Sequence, residues 1–152
     1  MKQYYTFDDP QQAIRFDRFD LPSPWINYLS NGRMHAFVSQ AGGGMTWWLT
    51  PMLFRISRYR FYHLPIDSPG FYVYIRMNDG TVWSPTFRPC ETKVDRREAA
   101  HHPGYSVFTA EKDGLVAKLT LFMAQDSDAL IWEVTLRNTK GEAVACDVFA
   151  YV

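Results

Sequence analysis

The sequence has few cysteines, no net charge and no long apolar run. Its only cysteines, Cys90 and Cys146, allow at most one disulfide, and we expect two reduced thiols. Sixteen basic side chains balance sixteen acidic ones, which leaves no positive field for a phosphate backbone and argues against nucleic-acid binding. No segment reaches the roughly 18 apolar residues that a membrane helix needs. The N-terminus lacks a basic start followed by an apolar stretch, so we expect no secretory signal and a cytoplasmic protein.

Aromatic residues are abundant instead, and they make up 16% of the 152 residues. The 47% of hydrophobic and 21% of charged residues are typical of a globular domain rather than a disordered chain. A chain of this length can bury roughly 68–70% of the surface that it exposes when unfolded, so it needs no metal or disulfide to fold. We predict a single domain over residues 1–152, in which aromatic side chains favour strands and offer flat faces to ligands.

Apolar and polar residues alternate along much of the chain, and a period of two is typical of β-strands. In residues 130–138, for example, Trp132, Val134 and Leu136 share one face of an extended segment. The same reasoning predicts strands at residues 33–40, 45–49, 71–77, 82–83, 105–111, 115–122 and 144–152. We therefore predict an all-β fold, an antiparallel β-sandwich of about eight to ten strands with few or no helices.

Turn-forming residues separate these predicted strands. Asn, Asp and Gly at residues 78–80, 112–114 and 138–141 each predict a hairpin connection, because these residues tolerate the positive φ of tight turns. Residues 42–44 are three glycines, which indicate a hairpin turn or a close backbone approach. Residues 95–100 are predicted to form at most one helical turn. The first 30 residues, rich in Pro, Asp and aromatics, are predicted to form an irregular arm with at most one short strand.

The last predicted strand, residues 144–152, carries apolar side chains on both of its faces. We expect it to be buried on both faces or covered by a partner. Because the sequence ends inside this strand, we also expect the natural polypeptide to continue. Residues 1–152 would then be the N-terminal part of a longer chain.

No catalytic residue can be identified in this segment. The acidic residues lie mostly at turns or on polar strand faces, and none stands out as a paired acid and base. There is no G-x-S-x-G turn, and neither cysteine has a histidine neighbour. His101 and His102 are adjacent, so on a strand they point to opposite faces and would chelate a metal poorly. We predict no metal site, and we consider His102 a loop histidine that reaches a partner domain or a sugar.

The densest cationic and aromatic stretch is residues 55–62, and it supplies most of the candidate binding residues. Arginine suits carboxylates, phosphates and sugar hydroxyls, and aromatic rings stack on sugar rings. The alternative is a partly buried, ion-paired strand that locks a domain interface. The tryptophans of residues 47–48 are further candidates for stacking, with core packing as their alternative. The candidate substrate-binding or interface residues are Arg55, Arg58, Tyr59, Arg60, Trp47, Trp48 and His102.

An ordered set of motifs resembles the N-terminal domain of the glycoside phosphorylases of glycoside hydrolase family 94. This family includes cellobiose, chitobiose and cellobionic acid phosphorylases. The similarity spans nearly the whole chain, and the order and spacing of the motifs match. The motifs are Pro24–Leu29, Ala41–Gly43, Arg55–Arg60, Asp67–Arg76, Trp83–Pro85 and His102–Tyr105.

The resemblance implies a supersandwich-like domain that precedes an (α/α)6-barrel catalytic domain, which is absent from this segment. Enzymes of the family are hexosyltransferases that cleave a β-linked disaccharide with inorganic phosphate and inversion, giving an α-sugar 1-phosphate. The resemblance implies no cofactor or metal, and phosphate is a co-substrate. The catalytic acid would lie in the barrel, so we expect residues 1–152 alone to be inactive. It also implies a homodimer in which sandwich loops border the acceptor side of the partner's active site.

Two departures from the family pattern leave the acceptor open. Residues 44–48 and 83–89 differ from the cellobiose and chitobiose enzymes, so glucose, N-acetylglucosamine and an aldonic acid all remain candidates. Two other functions also stay open, a stand-alone carbohydrate-binding sandwich and a sandwich with an assembly role only. Exposed coplanar aromatics would favour the carbohydrate-binding module, whereas an exposed apolar patch beside the last strand would favour the enzyme domain.

Overall fold

The computed structural model describes residues 3–57 and 70–152, and its regular structure is β apart from one short 3₁₀ turn at Asp9–Gln11. The prediction of an all-β antiparallel fold is confirmed, and the described residues form twelve strands rather than eight to ten. They are β1 Thr6–Asp8, β2 Ala13–Phe16, β3 Ile26–Ser30, β4 Met34–Ser39, β5 Gly44–Trp48, β6 Tyr72–Met77, β7 Val82–Trp83, β8 Arg96–His102, β9 Tyr105–Lys112, β10 Leu115–Met123, β11 Leu130–Asn138 and β12 Cys146–Tyr151. No helix long and apolar enough to cross a membrane occurs in these residues.

The strands form three antiparallel sheets. One sheet has six strands in the order β1-β2-β8-β9-β10-β11, and we call it the large sheet. A three-stranded sheet has the order β3-β4-β5, and another has the order β12-β6-β7. Both small sheets pack on the same face of the large sheet, because each shares a hydrophobic cluster with it.

Two hydrophobic clusters lie between these layers. The first joins the β3-β4-β5 sheet to the large sheet and contains Phe16, Leu29, Val38, Phe108, Leu119 and Leu121 among its members. The second joins the β12-β6-β7 sheet to β9 and β10 and contains Ile75, Trp83, Ala110, Leu115 and Ala117. Trp83 is completely buried, which favours core packing over ligand stacking for this residue.

The hairpins predicted at residues 78–80 and 112–114 are confirmed. Asp79 accepts a hydrogen bond from the Thr81 N–H in the β6–β7 turn, where Gly80 has a φ of +83°. Asp113 and Gly114 both adopt positive φ between β9 and β10, as a two-residue turn requires. The hairpin predicted at residues 138–141 is wrong, because β11 and β12 lie in different sheets. There the turn carries the chain from the large sheet to the opposite layer.

Residues 95–100 form no helical turn, and residues 96–100 lie in β8, which pairs with β2 and β9. Pairing with strands on both sides and the complete burial of Ala99 outweigh the weak local preference of this segment for a helix. The first 30 residues also hold more strand than predicted, since they contain β1, β2 and β3. β2 is anchored by Phe16, whose side chain is fully buried in the first cluster.

Candidate functional site

The candidate residues fall on different parts of the sandwich. Trp47 and Trp48 lie at the end of β5, Arg55 lies in the segment that follows β5, and His102 ends β8 on the large sheet. Residues 58–60, which include Arg58, Tyr59 and Arg60, lie outside the described residues. The structure therefore brings Trp47 and Arg55 together and places His102 elsewhere.

Trp47 belongs to a row of aromatic rings on the outer face of the β3-β4-β5 sheet. We call Tyr28, His35, Phe37 and Trp47 the aromatic face. The Tyr28 and Phe37 ring centroids are 6.2 Å apart and those of Phe37 and Trp47 are 6.1 Å apart. His35 stacks on Trp47 at 5.5 Å. The Tyr28–Phe37 and Phe37–Trp47 pairs are inclined by 64° and 56°, so these rings do not form one flat platform.

Arg55 lies in a segment whose apolar side chains are exposed. We call residues 49–56 the apolar loop, and its exposed members are Leu49, Met52, Leu53, Phe54 and Ile56. The backbone of the loop is fixed against β5: the Trp48 N–H donates to the Phe54 carbonyl at 2.9 Å and the Ile56 N–H to the Thr46 carbonyl at 3.0 Å. Trp47 and Arg55 form an antiparallel bridge, which places Arg55 beside the aromatic face. A loop that backbone hydrogen bonds fix in place, and whose apolar side chains are exposed, is typical of an interaction surface.

Trp48 has a different environment from Trp47. Its ring packs against the first cluster, and its indole N–H donates to the Asp128 carboxylate at 3.0 Å. Arg33 also pairs with Asp128 at 2.6 Å. The hydrogen bonds from Arg33 and Trp48 hold the pKa of Asp128 below its usual value. These contacts favour core packing and local anchoring for Trp48.

His102 is buried rather than free in a loop, which corrects its expected placement. Its Nδ1 donates to the Gln11 carbonyl at 3.1 Å, and its ring stacks on Tyr105 at 4.2 Å. His101 contacts the core residues Phe16 and Phe108. The two imidazoles thus have separate surroundings, in line with opposite strand faces. Among residues 3–57 and 70–152, no group of three or more His, Cys, Asp or Glu side chains could hold a metal.

Asn27 is a residue that sequence reasoning missed, and it holds β3 on the large sheet. Its side-chain amide donates to the carbonyls of His102 and Tyr105 at 2.9 and 3.0 Å and to the Ser106 hydroxyl at 3.0 Å. The His101 Nε2 donates to the Trp25 carbonyl at 3.3 Å. These bonds orient the sheet that carries the aromatic face. The sequence signal that could have identified Asn27 is a polar residue at a strand position that faces the core.

The turn between β4 and β5 has the close backbone approach that the three glycines indicated. Gly42 has a φ of +102°, and a Cβ there would lie 2.6 Å from the Thr86 Cβ. A Cβ on Gly44 would lie 2.2 Å from the Phe37 carbonyl oxygen. The start of β5, which leads to Trp47, is thereby fixed against the segment that follows β7.

Comparison with known proteins identifies one family along nearly the whole chain. A family model described as "Glycosyl hydrolase 94, supersandwich domain" matches residues 11–152. N,N'-diacetylchitobiose phosphorylase of Vibrio furnissii is 31% identical over 153 residues, which cover 99% of this chain and 19% of that protein. 3-O-beta-D-glucopyranosyl-beta-D-glucuronide phosphorylase of Paenibacillus borealis is 28% identical over 120 residues, 78% of this chain and 14% of that protein. Solabiose phosphorylase of the same organism is 25% identical over 154 residues, 100% of this chain and 20% of that protein. The chain thus spans about a fifth or less of the length of these relatives.

Proposed function

The chain belongs to the supersandwich-domain family of glycosyl hydrolase 94, and we propose that it works as the N-terminal sandwich of a full-length inverting glycoside phosphorylase. The observation that carries the proposal is the family match over residues 11–152. Relatives named for three different disaccharides are all phosphorylases, which supports the same reaction type here. The protein would be a cytoplasmic hexosyltransferase.

The proposed reaction is phosphorolysis of a β-linked disaccharide. An oxygen of inorganic phosphate forms a bond to the anomeric carbon while the bond from that carbon to the glycosidic oxygen breaks. A carboxylic acid in another part of the full-length polypeptide gives its proton to the leaving oxygen. The products are an α-sugar 1-phosphate and the released acceptor sugar. The reaction needs no oxidant, reductant, metal or cofactor.

We assign a supporting role to the 152 residues themselves. The apolar loop and the aromatic face would pack against another domain or a second subunit, or would border the acceptor site, with Trp47 and Arg55 at the contact. Exposed apolar side chains on a hydrogen-bonded loop support this assignment. Arg58, Tyr59 and Arg60 continue the same stretch and stay candidates for the same contact. The inclined rings of the aromatic face give little support to a stand-alone sugar-binding module.

The test is the reverse reaction of the full-length protein with α-glucose 1-phosphate. The acceptor panel contains glucose, N-acetylglucosamine, gluconate and glucuronate, and the measurement is the release of inorganic phosphate. We expect release with at least one acceptor and none from residues 1–152 assayed in the same way. No release with any acceptor, together with no phosphorolysis of the matching disaccharides, would contradict the proposed reaction. Phosphate release by the 152 residues alone would contradict the supporting role.

A further inference from the structure

A pocket of about 440 Å³ opens where β2, the start of β3 and the end of β8 meet. Its walls come from residues 7–14, 25–27 and 101–103, and we call it the N-terminal pocket. Its volume lies within the roughly 300–1,000 Å³ of small-molecule sites. β2 pairs with β8 through Ile14 and His101, and the Asn27 amide ties β3 to the His102 carbonyl. Paired strands therefore hold three stretches that are distant in sequence around one cavity.

One wall of the N-terminal pocket is apolar, and its main ring is fixed in place. Trp25 and Ile26 line it and are 38% and 42% exposed. The Trp25 ring packs against Tyr5 at 4.5 Å and against Phe16 at 5.9 Å between centroids. Its backbone N–H donates to the Gln40 side-chain carbonyl at 2.8 Å. A partly exposed aromatic ring held in this way offers a flat surface for the C–H face of a sugar ring.

The polar part of the pocket carries hydrogen-bond acceptors that have no partner among the described residues. His102 is only 7% exposed, and its Nδ1 donates to the Gln11 carbonyl. In the neutral ring Nε2 is therefore an acceptor, and no described residue donates to it. A side chain buried this deeply rarely leaves a polar atom unpaired. The missing partner would be a donor on a ligand.

Asn27 and Asp9 add further acceptors to the same pocket. The Asn27 amide N–H groups are used by His102, Tyr105 and Ser106, whereas no donor in the described part of the chain reaches its Oδ1. Asp9 lines the pocket with an exposed carboxylate. A ligand that fits these three positions must donate hydrogen bonds at several points, as the hydroxyl groups of a sugar do.

The charges of the pocket favour a neutral ligand over an anion. Among the described residues that line it, none is a lysine or an arginine. Phosphates and sugar phosphates are normally held by such cations, and the Asp9 carboxylate would repel them. No described group of three His, Cys, Asp or Glu side chains offers a metal site instead.

We propose that the N-terminal pocket binds one residue of a neutral sugar. The ring packs on Trp25, and its hydroxyl groups donate to His102 Nε2 and to Asn27 Oδ1. The inference goes beyond the proposed function, because the 152 residues form this site themselves and no step of phosphorolysis enters it. The relatives named as phosphorylases of disaccharides show that neutral sugars are a ligand class of this family.

Hydrogen exchange on the full-length protein locates the binding, because it reports on this pocket separately from any other sugar site. The probes are methyl β-cellobioside and methyl β-chitobioside, each added without phosphate. The reporters are the amides of residues 9–13 and 101–103. At about ten times the dissociation constant of either probe, we expect roughly tenfold slower exchange there, since an opening that destroys the pocket excludes the sugar.

Three outcomes of this experiment would overturn the proposal. The first is unchanged exchange at these amides with both probes at high millimolar concentration. The second is slowing by the sugars in other segments only. The third is strong protection of these amides without sugar and no further change on its addition, which would show that another part of the polypeptide fills the pocket.

Substitutions at the apolar wall test the proposed contacts in the full-length protein. Trp25→Ala should weaken the sugar-dependent protection of residues 101–103 at least about tenfold in dissociation constant. Trp25→Phe keeps a flat ring and is the matched control, with a change of about threefold or less. Ile26→Lys is a second variant that the fold should tolerate, because Ile26 is exposed, and its long charged side chain should obstruct the pocket.

Equal affinities of wild type, Trp25→Ala and Ile26→Lys would contradict the proposed contacts. The inference and the proposed function also fail separately. Phosphorolysis by a protein that shows no sugar-dependent protection at the pocket would defeat the inference alone. Protection at the pocket in a protein without phosphorolysis would defeat the proposed function alone.

Discussion

The His101 side chain shows how a single buried group couples this fold to pH. Burial lowers its pKa from 6.5 to about 4, partly opposed by the bond to the Trp25 carbonyl. Because Nε2 donates to that carbonyl, Nδ1 of the neutral ring accepts the hydrogen bond from the Ser106 hydroxyl at 3.0 Å. Protonation would break this pairing and place a charge beside Phe16.

We predict that the chain loses stability as the pH falls from about 6.5 to about 4. In this window the unfolded chain binds a proton at His101 and the folded chain does not, so stability is full above the window. The loss attributable to His101 is at most about 3 kcal/mol, at about 1.4 kcal/mol per pKa unit. Urea unfolding of wild type and His101→Gln, followed by fluorescence at several pH values, measures it. The variant should lack this part of the pH dependence, and His35→Gln should keep it. Identical pH profiles for wild type and His101→Gln would contradict the prediction.

We predict that Trp47→Ala or Arg55→Ala in the full-length protein weakens acceptor binding or dimerisation by roughly five- to thirtyfold, about 1–2 kcal/mol. The physical reason is that both side chains lie where the aromatic face meets the apolar loop. The measurements are the acceptor KM and the dimer dissociation constant. Phe7→Ala removes an exposed aromatic ring from β1 and serves as the control. If neither quantity changes beyond the control, Trp47 and Arg55 have no part in the contact.

At the scale of elements, the local sequence pattern predicted where strands lie better than it predicted which strands pair with each other. Alternation located β10, whose residues are buried alternately along its length, and β11, which pairs with β10 residue by residue. The turn at residues 138–141 was misread because Asn and Gly favour a hairpin and a change of layer equally. β8 was missed because its charged and alanine-rich sequence has a helical preference, whereas its strand state depends on β2, a distant partner in sequence.

The turn between β4 and β5 is predicted to tolerate no side chain at Gly42. Gly42→Ala should destabilise the chain by about 2–4 kcal/mol, because it adds both the strain of positive φ and a clash with the buried Thr86. Thr86 cannot easily move, since its hydroxyl donates to the Arg88 carbonyl at 2.6 Å. Gly32→Ala is the matched control, with a φ of +92° and no atom within 4 Å of the added Cβ. It should cost about 1 kcal/mol. Equal unfolding free energies for the two variants in urea would show that the approach to Thr86 is unimportant.

At the scale of the whole molecule, the sandwich fold and its family could be predicted from the sequence. Which candidate residues lie side by side could not. Trp47 and Arg55 were both candidates, yet their bridge depends on the return of the apolar loop along β5. Tyr28 and Phe37 join the aromatic face only through the pairing of β3 with β4. His102 read as a loop residue because Pro103 and Gly104 follow it, and its burial results from contacts with Gln11 and Tyr105.

The edge strands β11 and β12 end their sheets with exposed apolar side chains, and we expect the 152 residues on their own to self-associate through them. Val134→Lys with Val148→Lys should reduce self-association of the isolated chain, because both positions are exposed there and added charge discourages edge-to-edge pairing. Light scattering over a range of concentrations measures the effect. Phe7→Lys with Val82→Lys places the same charges on β1 and β7, the opposite ends of the same two sheets, where the side chains are also exposed, and should leave association through β11 and β12 unchanged. If both double variants reduce association equally, general charge rather than the β11 and β12 edges controls it.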